Sequence, residues 1–416
     1  MEALLMQTPP LSNPTLTAPT SGATGAEGVI SDLARAWLDE EDTLNLGGAI
    51  VRTARANLVM FSADTETAAQ AEDTLPGLVW QHPCRAIHIV KEEEADAPLQ
   101  ATSQLHTRSE GSRRIIACEQ VTLRVGLTQM ASLEGVVEPL LHPDLPVCLW
   151  WRGNPPFDGT LFERLVEAAD RIIYDSQCFL EPEEDLPWIH DMVTRSARFG
   201  VSASDVNWAR LTPWRLLVAQ FFDGPAQVGA LDGISRVEIE FVDRHVTFGH
   251  VPLQAWLLLG WLATRLHWKA REQAPALVDH EARFQLWQGD TPVDVVLRQR
   301  IAASERDATR TSSHPDGIVA VEIATTLPCA GQYRVERLDD ANCVRAVRAQ
   351  ENTQPVEAVV EMPPEPDADL IAQEMDRPGR DQVYEEVLAY CTPLVPLVHN
   401  ALIPVSGGES TDLARA

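Results

Sequence analysis

The sequence contains almost no lysine: among its 33 basic residues, only Lys91 and Lys269 are not arginine. Against 61 acidic residues this leaves a formal net charge of −28, and no basic cluster stands out along the 416 residues. Proteins that bind duplex nucleic acid need a basic footprint, and anionic membrane surfaces repel acidic chains. The composition therefore predicts neither a nucleic-acid partner nor a membrane partner.

The sequence also lacks the short motifs that mark common catalytic sites. It has no GxxxxGK phosphate loop, no GxGxxG dinucleotide turn, no GxSxG nucleophile turn, and no HExxH or Cys/His spacing suited to zinc. Its carboxylates gather in runs at 39–42, 92–94 and 181–185, which is typical of solvated surfaces. These absences favour a protein with no catalytic residues, no cofactor and no metal.

Cysteines are few and scattered, with seven in the chain and no CxxC pair. An odd number of dispersed cysteines is typical of reduced thiols, which predicts a cytoplasmic protein. Most of them fit as small buried apolar residues. Cys329 and Cys343 are 14 positions apart on what look like neighbouring strands, so a redox pair there is the alternative.

Long apolar runs are missing as well. The most apolar stretch, 253–266 (LQAWLLLGWLATRL), is shorter than the ~20 residues that a membrane-spanning helix needs, and it predicts a buried core helix. Residues 1–28 are rich in Pro, Thr, Ser and Ala and lack the basic and apolar regions of a signal peptide. We expect a disordered tail there and a second tail at 405–416.

Between residues 29 and 223, strand patterns alternate with helical patterns. Strands are predicted over 57–62, 85–91, 99–106, 114–125, 146–151 and 171–174, and helices over 30–42, 65–81, 130–141, 162–169, 186–198 and 207–222. Strands that alternate with helices form parallel βαβ units. The fold class is therefore α/β, with an N-terminal doubly wound, mostly parallel sheet domain over 29–223.

A Gly- and Pro-bearing linker at 224–233 precedes a change of pattern. Residues 236–241 (RVEIEF) alternate with period two, as a half-exposed strand does. Further strands are predicted over 284–287, 293–300, 317–324 and 332–338, and helices over 370–375 and 381–390. The pattern predicts a C-terminal α+β domain over 234–404 with a mostly antiparallel sheet.

Tryptophan and arginine concentrate in three segments between residues 146 and 222. The first, WWRGNPP from Trp150, follows a predicted strand and is expected to form a rigid, exposed loop. The second is Asp175-Ser176, directly after the strand 171–174. The third, SDVNWARLTPWR from Ser204, begins with residues that can cap a helix and places Trp208 and Arg215 on one helical face.

These segments form the candidate binding site. Residues just past the carboxyl ends of parallel strands face the ligand crevice, and Trp and Arg dominate binding hot spots. The structural alternative is that each Trp packs in the core and that the polar residues only cap helices or form salt bridges. The predicted partner-binding residues are Trp150, Trp151, Arg152, Pro155, Asp175, Ser176, Asp205, Asn207, Trp208, Arg210, Trp214 and Arg215.

Three long segments carry a family resemblance: LPVCLWWRGNPPF, FERLVEAADRIIYDS and SDVNWARLTPWRLLVAQFFD. They resemble the OpcA family, the glucose-6-phosphate dehydrogenase assembly proteins of bacteria. The earlier RTARANLVMF, HPCRAIHIV and CEQVTLRV fit the same family, so the match covers about residues 30–222, with a looser C-terminal half.

The resemblance implies a non-catalytic partner. Such a protein would bind glucose-6-phosphate dehydrogenase as an assembly factor and allosteric activator, and would favour the active oligomer that makes NADPH in the oxidative pentose phosphate pathway. In some relatives thiol redox state tunes this activity, but the cysteines here form no obvious close C-terminal pair.

Two other functions fit the residues. A sugar-phosphate- or nucleotide-binding α/β enzyme would use the arginines at strand ends to hold a phosphate. A purely structural scaffold would bind its partner without any kinetic effect.

Overall fold

The fold is described from a computed structural model of the chain. It describes residues 20–23, 26–44, 50–52, 54–110, 114–153, 160–242, 251–271, 275–278, 281–300, 317–326, 330–338, 342–350 and 353–402. Outside these residues lie Pro155, Cys329 and most of the two predicted tails. The alternative of a redox pair between Cys329 and Cys343 therefore also lies outside the described residues.

Strands outnumber helices in the described part of the chain. In chain order, the strands are β1 (Thr20–Ala23), β2 (Ile50–Arg52), β3 (Ala56–Ser62), β4 (Cys84–Lys91), β5 (Gln100–Glu110), β6 (Arg114–Val125), β7 (Val147–Arg152), β8 (Arg171–Tyr174), β9 (Ser202–Asp205), β10 (Ile234–Val242), β11 (Lys269–Ala270), β12 (Ala276–Val278), β13 (Glu281–Gln288), β14 (Thr291–Gln299), β15 (Gly317–Thr325), β16 (Gly331–Arg337), β17 (Cys343–Gln350) and β18 (Val356–Glu361). The helices are α1 (Ala26–Leu44), α2 (Thr65–Gln81), α3 (Glu134–Val137), α4 (Thr160–Glu167), α5 (Pro182–Arg198), α6 (Val206–Arg210), α7 (Thr212–Gln220), α8 (Pro225–Val228), α9 (Leu253–Arg265), α10 (Asp367–Asp376) and α11 (Gln382–Leu402).

The chain divides into two compact units, and each is discontinuous in sequence. Unit 1 comprises Met1–Cys178, Val193–Val206 and Glu365–Arg380, and unit 2 comprises Phe179–Met192, Asn207–Pro364 and Asp381–Ala416. Helix α10 therefore belongs to the N-terminal unit, although it follows the whole C-terminal sheet. It packs against α2, where a Cβ on Gly77 would lie 3.1 Å from the Cβ of Ala368.

The sheet of unit 1 is mostly parallel, which confirms the predicted α/β fold class. Its order is β1-β5-β6-β4-β3-β7-β8-β9, with β2 beside β6. The pairs from β6 to β9 along this order are all parallel, whereas β5 runs antiparallel to both β6 and β1. The buried strands are apolar on both faces, as in parallel sheets covered by helices, and all seven residues of β3 are buried.

Three details between residues 127 and 222 differ from the predictions. Residues 130–141 form short pieces, with 3-10 turns at Leu127–Ser132 and Glu138–Leu140 around α3, instead of one helix. The strand β9 was missed because its sequence, SASD, is small and polar although all four residues are buried. The single helix predicted over 207–222 is split into α6 and α7, with Pro213 at the start of α7, where proline is tolerated.

The sheet of unit 2 has the order β11-β13-β14-β10-β15-β16-β17-β18, with β12 beside β13. Only the β10–β14 pair is parallel among the described pairings, so the predicted mostly antiparallel sheet is confirmed. Strands β17 and β18 were not predicted, since neither sequence alternates regularly between apolar and polar residues, and their residues are mostly half-buried or exposed.

Charged side chains connect neighbouring strands across this sheet. Arg334 on β16 binds Glu240 at 2.7 Å and Glu322 at 3.0 Å, and Arg300 also reaches Glu240 at 2.6 Å. Burial alone would raise the pKa of Glu240, but the hydrogen bonds from Arg300 and Arg334 hold it below its ordinary value. Cross-strand charge pairs thus help to hold neighbouring strands of this sheet together.

Helix α9 is a buried core helix, as its apolar run predicted. Ten of its residues are buried, and it packs against α11. The two helices approach closely at Gly260, where a Cβ would lie 2.4 Å from the Cys391 sulfur and 2.9 Å from Val387. Within the described part of the chain, none of the helices has the length and apolarity to cross a bilayer.

A buried carboxyl at the start of α5 gives unit 2 a pH-dependent stability. Asp185 is 4% exposed and accepts the backbone N–H of Glu181 at 2.9 Å. Burial, with the neighbouring Glu181, Glu183 and Glu184, raises its pKa to about 6 from 3.8. The folded state therefore keeps its proton to a higher pH than the unfolded chain does, and stability falls as the pH rises from about 4 to about 6.

We expect Asp185→Asn, which is neutral at every pH, to be more stable than the unsubstituted chain above pH 6. The difference should approach ~3 kcal/mol, since each pKa unit corresponds to about 1.4 kcal/mol, and should vanish near pH 4. Urea denaturation at a series of pH values measures it, and Glu167→Gln, at an exposed position of α4, is the control. A pH-independent difference would contradict the buried, protonated carboxyl.

Candidate functional site

A cavity of about 620 Å³ lies at the carboxyl edge of the parallel strands in unit 1. Residues from the ends of β3, β4 and β7 line it, together with Asp175 just beyond β8. The order β6-β4-β3-β7-β8-β9 is that of six-stranded dinucleotide-binding sheets, in which the first strand lies at the centre. The cavity therefore occupies the topological switch point, where doubly wound proteins bind ligands.

One wall of the cavity is aromatic. Phe61 and Trp151 are register partners on β3 and β7, and their rings stack at 3.9 Å with an angle of 15°. Phe162 of α4 meets Trp151 edge-on at 4.9 Å. Rings in such contact are rigid, so this wall is preformed.

The side-chain carboxylate of Asp64 occupies the turn after β3. In dinucleotide-binding sheets, a glycine-rich turn here leaves the N–H groups of the next helix free for a pyrophosphate. Here Asp64 caps α2: its Oδ1 accepts the N–H of Thr67 at 2.7 Å, and the Thr67 hydroxyl accepts the N–H of Asp64 at 3.2 Å. This capping box places a negative charge where a phosphate would bind, and it opposes an anion there.

The turns after β3 and β7 also touch each other. Gly153 has φ +136°, and a Cβ on it would lie 2.6 Å from the Cβ of Ala63. The glycine is needed both for this backbone angle and for the close approach. The crevice between the two central strands is therefore narrow at the place where a cofactor's phosphates would pass.

Charged side chains surround the aromatic wall. Lys91 and Arg152 line the cavity, as do Asp64, Asp175 and Asp367. The guanidinium of Arg152 lies 5.0 Å from the Trp150 ring and donates to Gln70 at 2.7 Å. The cavity thus joins an apolar surface to a mixed-charge rim, which suits recognition of a polar partner surface or ligand.

A Ser–His pair lies close to the cavity but is inaccessible. Ser62 Oγ and His88 Nε2 are 3.0 Å apart, and both side chains are 0% exposed. Burial first, then the charges of Arg124 and Arg152, lowers the pKa of His88 to about 4, so the imidazole is neutral. A substrate could not reach this pair without rearrangement of the sheet.

The structure divides the predicted binding residues between the two units. Unit 1 brings Trp150, Trp151, Arg152 and Asp175 to the cavity. Ser176 and Asp205 form a buried pair instead, in which Asp205 accepts the Ser176 N–H at 3.0 Å and its hydroxyl at 2.7 Å. Asp205 thus ends β9 and joins it to the turn after β8.

In unit 2, Trp208 is the centre of a polar and aromatic cluster. Its indole N–H donates to Asp381 at 3.0 Å, the Tyr384 ring lies at 5.5 Å, and Arg215 stacks over it at 3.5 Å. Asn207 is also buried and accepts from Gln254 at 2.9 Å. The predicted face shared by Trp208 and Arg215 is therefore real, although the helix is interrupted between them.

The expectation of an exposed tryptophan loop was wrong. Trp150 and Trp151 lie within β7 and are 2% and 6% exposed, and Trp208 and Trp214 are 2% and 4% exposed. Their large rings are buried by neighbouring elements, which is the usual fate of tryptophan. Arg152, Asp175, Arg210 and Arg215 are half-buried and reach the surface.

Several residues of the site were missed from the sequence. Asp64 is a residue type that commonly caps helices, and it directly precedes the predicted helix 65–81. The sequence therefore contained a signal for its role. Lys91 ends β4 and is one of two lysines in the chain, which could have drawn attention to it. Asp367 and Ile371 line the cavity from α10, and no local pattern places a segment so distant in sequence there.

Arg171 was also missed. Its side chain is buried and donates to Ser204 at 2.8 Å and to the Gly379 carbonyl at 2.9 Å. It also reaches the carbonyl of Arg377 at 2.5 Å. The guanidinium thus fixes the chain after α10 against β8, and so helps to hold α10 beside the cavity.

The six described cysteines are all free thiols. Burial raises the pKa of Cys118 and Cys148 to about 11 and that of Cys391 to about 12, which makes them poor nucleophiles. Cys178, which lines the cavity, is exposed. The prediction that most cysteines are buried apolar residues is confirmed for Cys84, Cys118, Cys148 and Cys391.

Comparison with known proteins gives related proteins and one related fold. A protein of Synechocystis, "Putative OxPP cycle protein OpcA", is 26% identical over 93% of this chain and 80% of its own length. A Nostoc punctiforme protein of the same name is 28% identical over 77% of this chain and 66% of its own length. An oxidoreductase from Sinorhizobium meliloti shares the fold, with a TM-score of 0.50 and 11% identity over 84% of this chain and 98% of that one.

Two OpcA family models match the chain and together span well over half of it. Residues 78–190 match the model for the N-terminal domain of a glucose-6-phosphate dehydrogenase subunit. Residues 201–388 match the model for the C-terminal domain of the same family. The protein is therefore a member of the OpcA family.

Proposed function

We propose that this protein is a non-catalytic cytoplasmic partner of glucose-6-phosphate dehydrogenase. It binds the dehydrogenase and favours its active oligomer, and thereby supports NADPH production in the oxidative pentose phosphate pathway. The proposal rests on membership of a family whose models are named for a subunit of that enzyme.

The observation that carries the non-catalytic part is the turn after β3. The sheet keeps the strand order of dinucleotide-binding proteins, yet the capping box of Asp64 satisfies the helix N-terminus and puts a carboxylate there. A dinucleotide bound in the usual way would lose its main phosphate contacts and meet a like charge. A fold with this order but without such a phosphate site suits a binding protein derived from an enzyme-like scaffold.

Buried tryptophans suggest how the partner is held. Arg152 lies against the Trp150 ring at 5.0 Å, and Arg215 lies over the Trp208 ring at 3.5 Å. A guanidinium stacked on an indole loses less conformational freedom on binding than a free one. In this proposal the rings position the two arginines, and with Asp175 and Arg210 the arginines contact carboxylates or carbonyls of the dehydrogenase.

Activation then follows from differential affinity. A partner shifts a conformational equilibrium only by the difference between its affinities for the two states. An activation of about 100-fold requires ~2.7 kcal/mol of such a difference. One or two well-held arginines at an interface can supply that amount.

The test is steady-state kinetics of the cognate dehydrogenase with and without the full chain, alongside oligomer mass by light scattering. We expect a higher maximal rate or a lower substrate KM, and a shift toward the larger oligomer. Arg152→Ala and Arg215→Ala should each raise the half-saturating concentration by about 30-fold, the loss of a ~2 kcal/mol contact.

Arg271→Ala is the matched control, because Arg271 also stacks on a tryptophan, with its Cζ 4.1 Å from the Trp287 ring, but lies outside the predicted segments. Equal effects of the three substitutions would place the contact elsewhere. No change in rate, KM or oligomer mass would refute activation.

The enzyme alternative is motivated by the Lys91 and Arg152 side chains of the cavity. NADPH formation by this chain alone, from glucose 6-phosphate and NADP⁺, would favour that alternative.

A further inference from the structure

Strand β18 forms an open edge of the sheet in unit 2. Among the described residues it pairs with β17 and with no other strand. All six of its residues are exposed, and Val356, Val359 and Val360 are 54%, 58% and 37% exposed. Soluble proteins usually protect such an edge with lysine, proline or a bulge. The sequence of β18, VEAVVE, has neither lysine nor proline, and its register with β17 is regular, so the edge can accept a further strand.

The direction of the backbone groups on β18 follows from one hydrogen bond at its end. The N–H of Met362 donates to the carbonyl of Asn342 at 2.6 Å, which continues the pairing with β17. Backbone groups alternate between the two sides of a strand. Every second residue before Met362 therefore also points its N–H and C=O toward β17: Val360, Ala358 and Val356. The other three residues point these groups toward the open side: Glu361, Val359 and Glu357.

The side chains of β18 extend the apolar face of the sheet to this edge. Side chains alternate along a strand, so the apolar residues Val356, Ala358 and Val360 share one face. The register places Ala358 beside Ala346 of β17, which lies beside Val335 of β16. Along this row Val335 is buried, Ala346 is half-buried and Ala358 is exposed. The apolar face therefore continues outward and ends at solvent.

The sequence of β18 is complementary to itself in one antiparallel register. When Ala358 lies opposite Ala358 of a second copy, Val356 lies opposite Val360 on the apolar face. On the other face, Glu357 lies opposite Val359. The outward backbone groups of Glu357 and Val359 then meet those of the second copy and can exchange hydrogen bonds. Both the side chains and the backbone of β18 are thus matched by a second β18.

Charge selects this register over its competitor. The other twofold register that pairs as much of the strand is centred on Val359, and it places Glu357 opposite Glu361. Like charges directly opposite each other destabilise a sheet. In the register centred on Ala358 the glutamates face valines instead, and Glu357 keeps Arg345 of β17 at 3.8 Å as its charge partner.

We propose that β18 pairs with the β18 strand of a second copy of this chain, so that the two sheets join antiparallel across a twofold axis at Ala358. The second copy supplies partners for the backbone groups of Glu357 and Val359 and brings the two apolar rows into contact. The proposal does not depend on the partnership with the dehydrogenase, because every residue that carries it lies at this edge of unit 2.

Sedimentation velocity of the full chain, from nanomolar to submillimolar concentration, measures the association. We expect an equilibrium between monomer and dimer. Val359→Pro removes an outward N–H and should raise the dimer dissociation constant by about 30-fold, since each copy loses one hydrogen bond. In the monomer this substitution should change the Tm little, because proline is tolerated where the N–H of an edge strand faces solvent. Val360→Pro is the matched control for this direction, since its N–H points toward β17 and its loss should lower the Tm.

Disulfide crosslinking tests the register. Ala358 lies opposite its own copy in a pair without direct hydrogen bonds, where the two Cα atoms are about 4.5 Å apart, within the range of a disulfide. Ala358→Cys should therefore form a covalent dimer when it is oxidised with diamide. Val356→Cys is the matched control on the same exposed face, because position 356 lies opposite 360. It should not exceed the background of the unsubstituted chain, in which Cys178 is an exposed thiol.

Three results would each overturn the proposal: a chain that is monomeric at every concentration, an unchanged dissociation constant for Val359→Pro, or equal crosslinking at positions 356 and 358. More efficient crosslinking of Val359→Cys than of Ala358→Cys would overturn the register. A monomeric chain whose Val359→Pro variant loses binding of the dehydrogenase would assign the edge to that enzyme instead of a second copy.

Discussion

Replacing Trp208 by alanine is expected to lower the free energy of unfolding by about 3–5 kcal/mol, the usual loss for a buried tryptophan. The side chain is 2% exposed and binds Asp381 at 3.0 Å. Asp381 also accepts the N–H of Tyr384 at 3.0 Å at the start of α11. The substitution therefore removes a large ring, the stacking surface of Arg215 and one of the groups that hold the Asp381 carboxylate.

Urea denaturation of the full chain, followed by circular dichroism, measures this effect. Trp208→Phe keeps most of the ring and should lose only about 1.5–3 kcal/mol, the value of a hydrogen bond to a charged acceptor. Phe199→Ala is the exposed aromatic control, at 82% exposure, and should change stability by less than about 0.5 kcal/mol.

The same variants separate the two interpretations of the tryptophan segments. If Trp208 is structural, Trp208→Phe should still activate the dehydrogenase at concentrations where the chain is folded. If the ring itself contacts the partner, the alanine variant should lose activation without losing stability. A fully stable Trp208→Ala chain would contradict the cluster around Asp381.

Gly126→Ala is expected to destabilise unit 1 by about 3 kcal/mol, at the upper end of the cost of overpacking. A Cβ there would lie 2.4 Å from the Ala95 carbonyl oxygen and 2.6 Å from both the Ala97 nitrogen and the Glu94 oxygen. These are backbone atoms, which cannot rotate away as a side chain can. Gly126 has an ordinary φ of −76°, so the glycine is required for space and not for its backbone angle.

The effect should extend to the cavity. Residues Leu127, Met130 and Ala131 follow Gly126 directly and line it, so a shift of this segment alters the wall and should reduce activation of the dehydrogenase. Gly135→Ala is the control, because a Cβ on Gly135 meets nothing within 4 Å and alanine favours its helix. Equal thermal midpoints and equal activation for the two variants would show that the backbone at 94–97 can move aside at little energetic cost.

The sequence predicted most of the elements that have a strong local signal. The strands over Ala56–Ser62 and Arg171–Tyr174 follow from apolar runs, and the helix Thr65–Gln81 follows from its helical pattern. Strands β17 and β18 were not found, because neither sequence alternates regularly between apolar and polar residues. Cross-strand ion pairs such as Arg345 with Glu336 and Glu357 help to hold them. Such pairs exist only once the neighbouring strands are in register.

The candidate site shows the same division. The sequence brought Trp150, Trp151, Arg152 and Asp175 to one sheet edge, because residues after parallel strands share that edge. The sequence could not decide whether the two tryptophan rings were exposed. Burial of Trp151 depends on Phe61, which is distant in sequence, and on Phe162, which lies on another element.

The alternation of strand and helix patterns determined the α/β class, and the long Trp- and Arg-rich segments determined the family, because these are properties of the chain itself. Only the tertiary structure decided that Asp64 occupies the turn where dinucleotide-binding sheets hold a phosphate, and that α10 returns to unit 1. Each of these depends on which distant segments pack together, and packing is set by burial and by shape, which no short stretch of sequence contains.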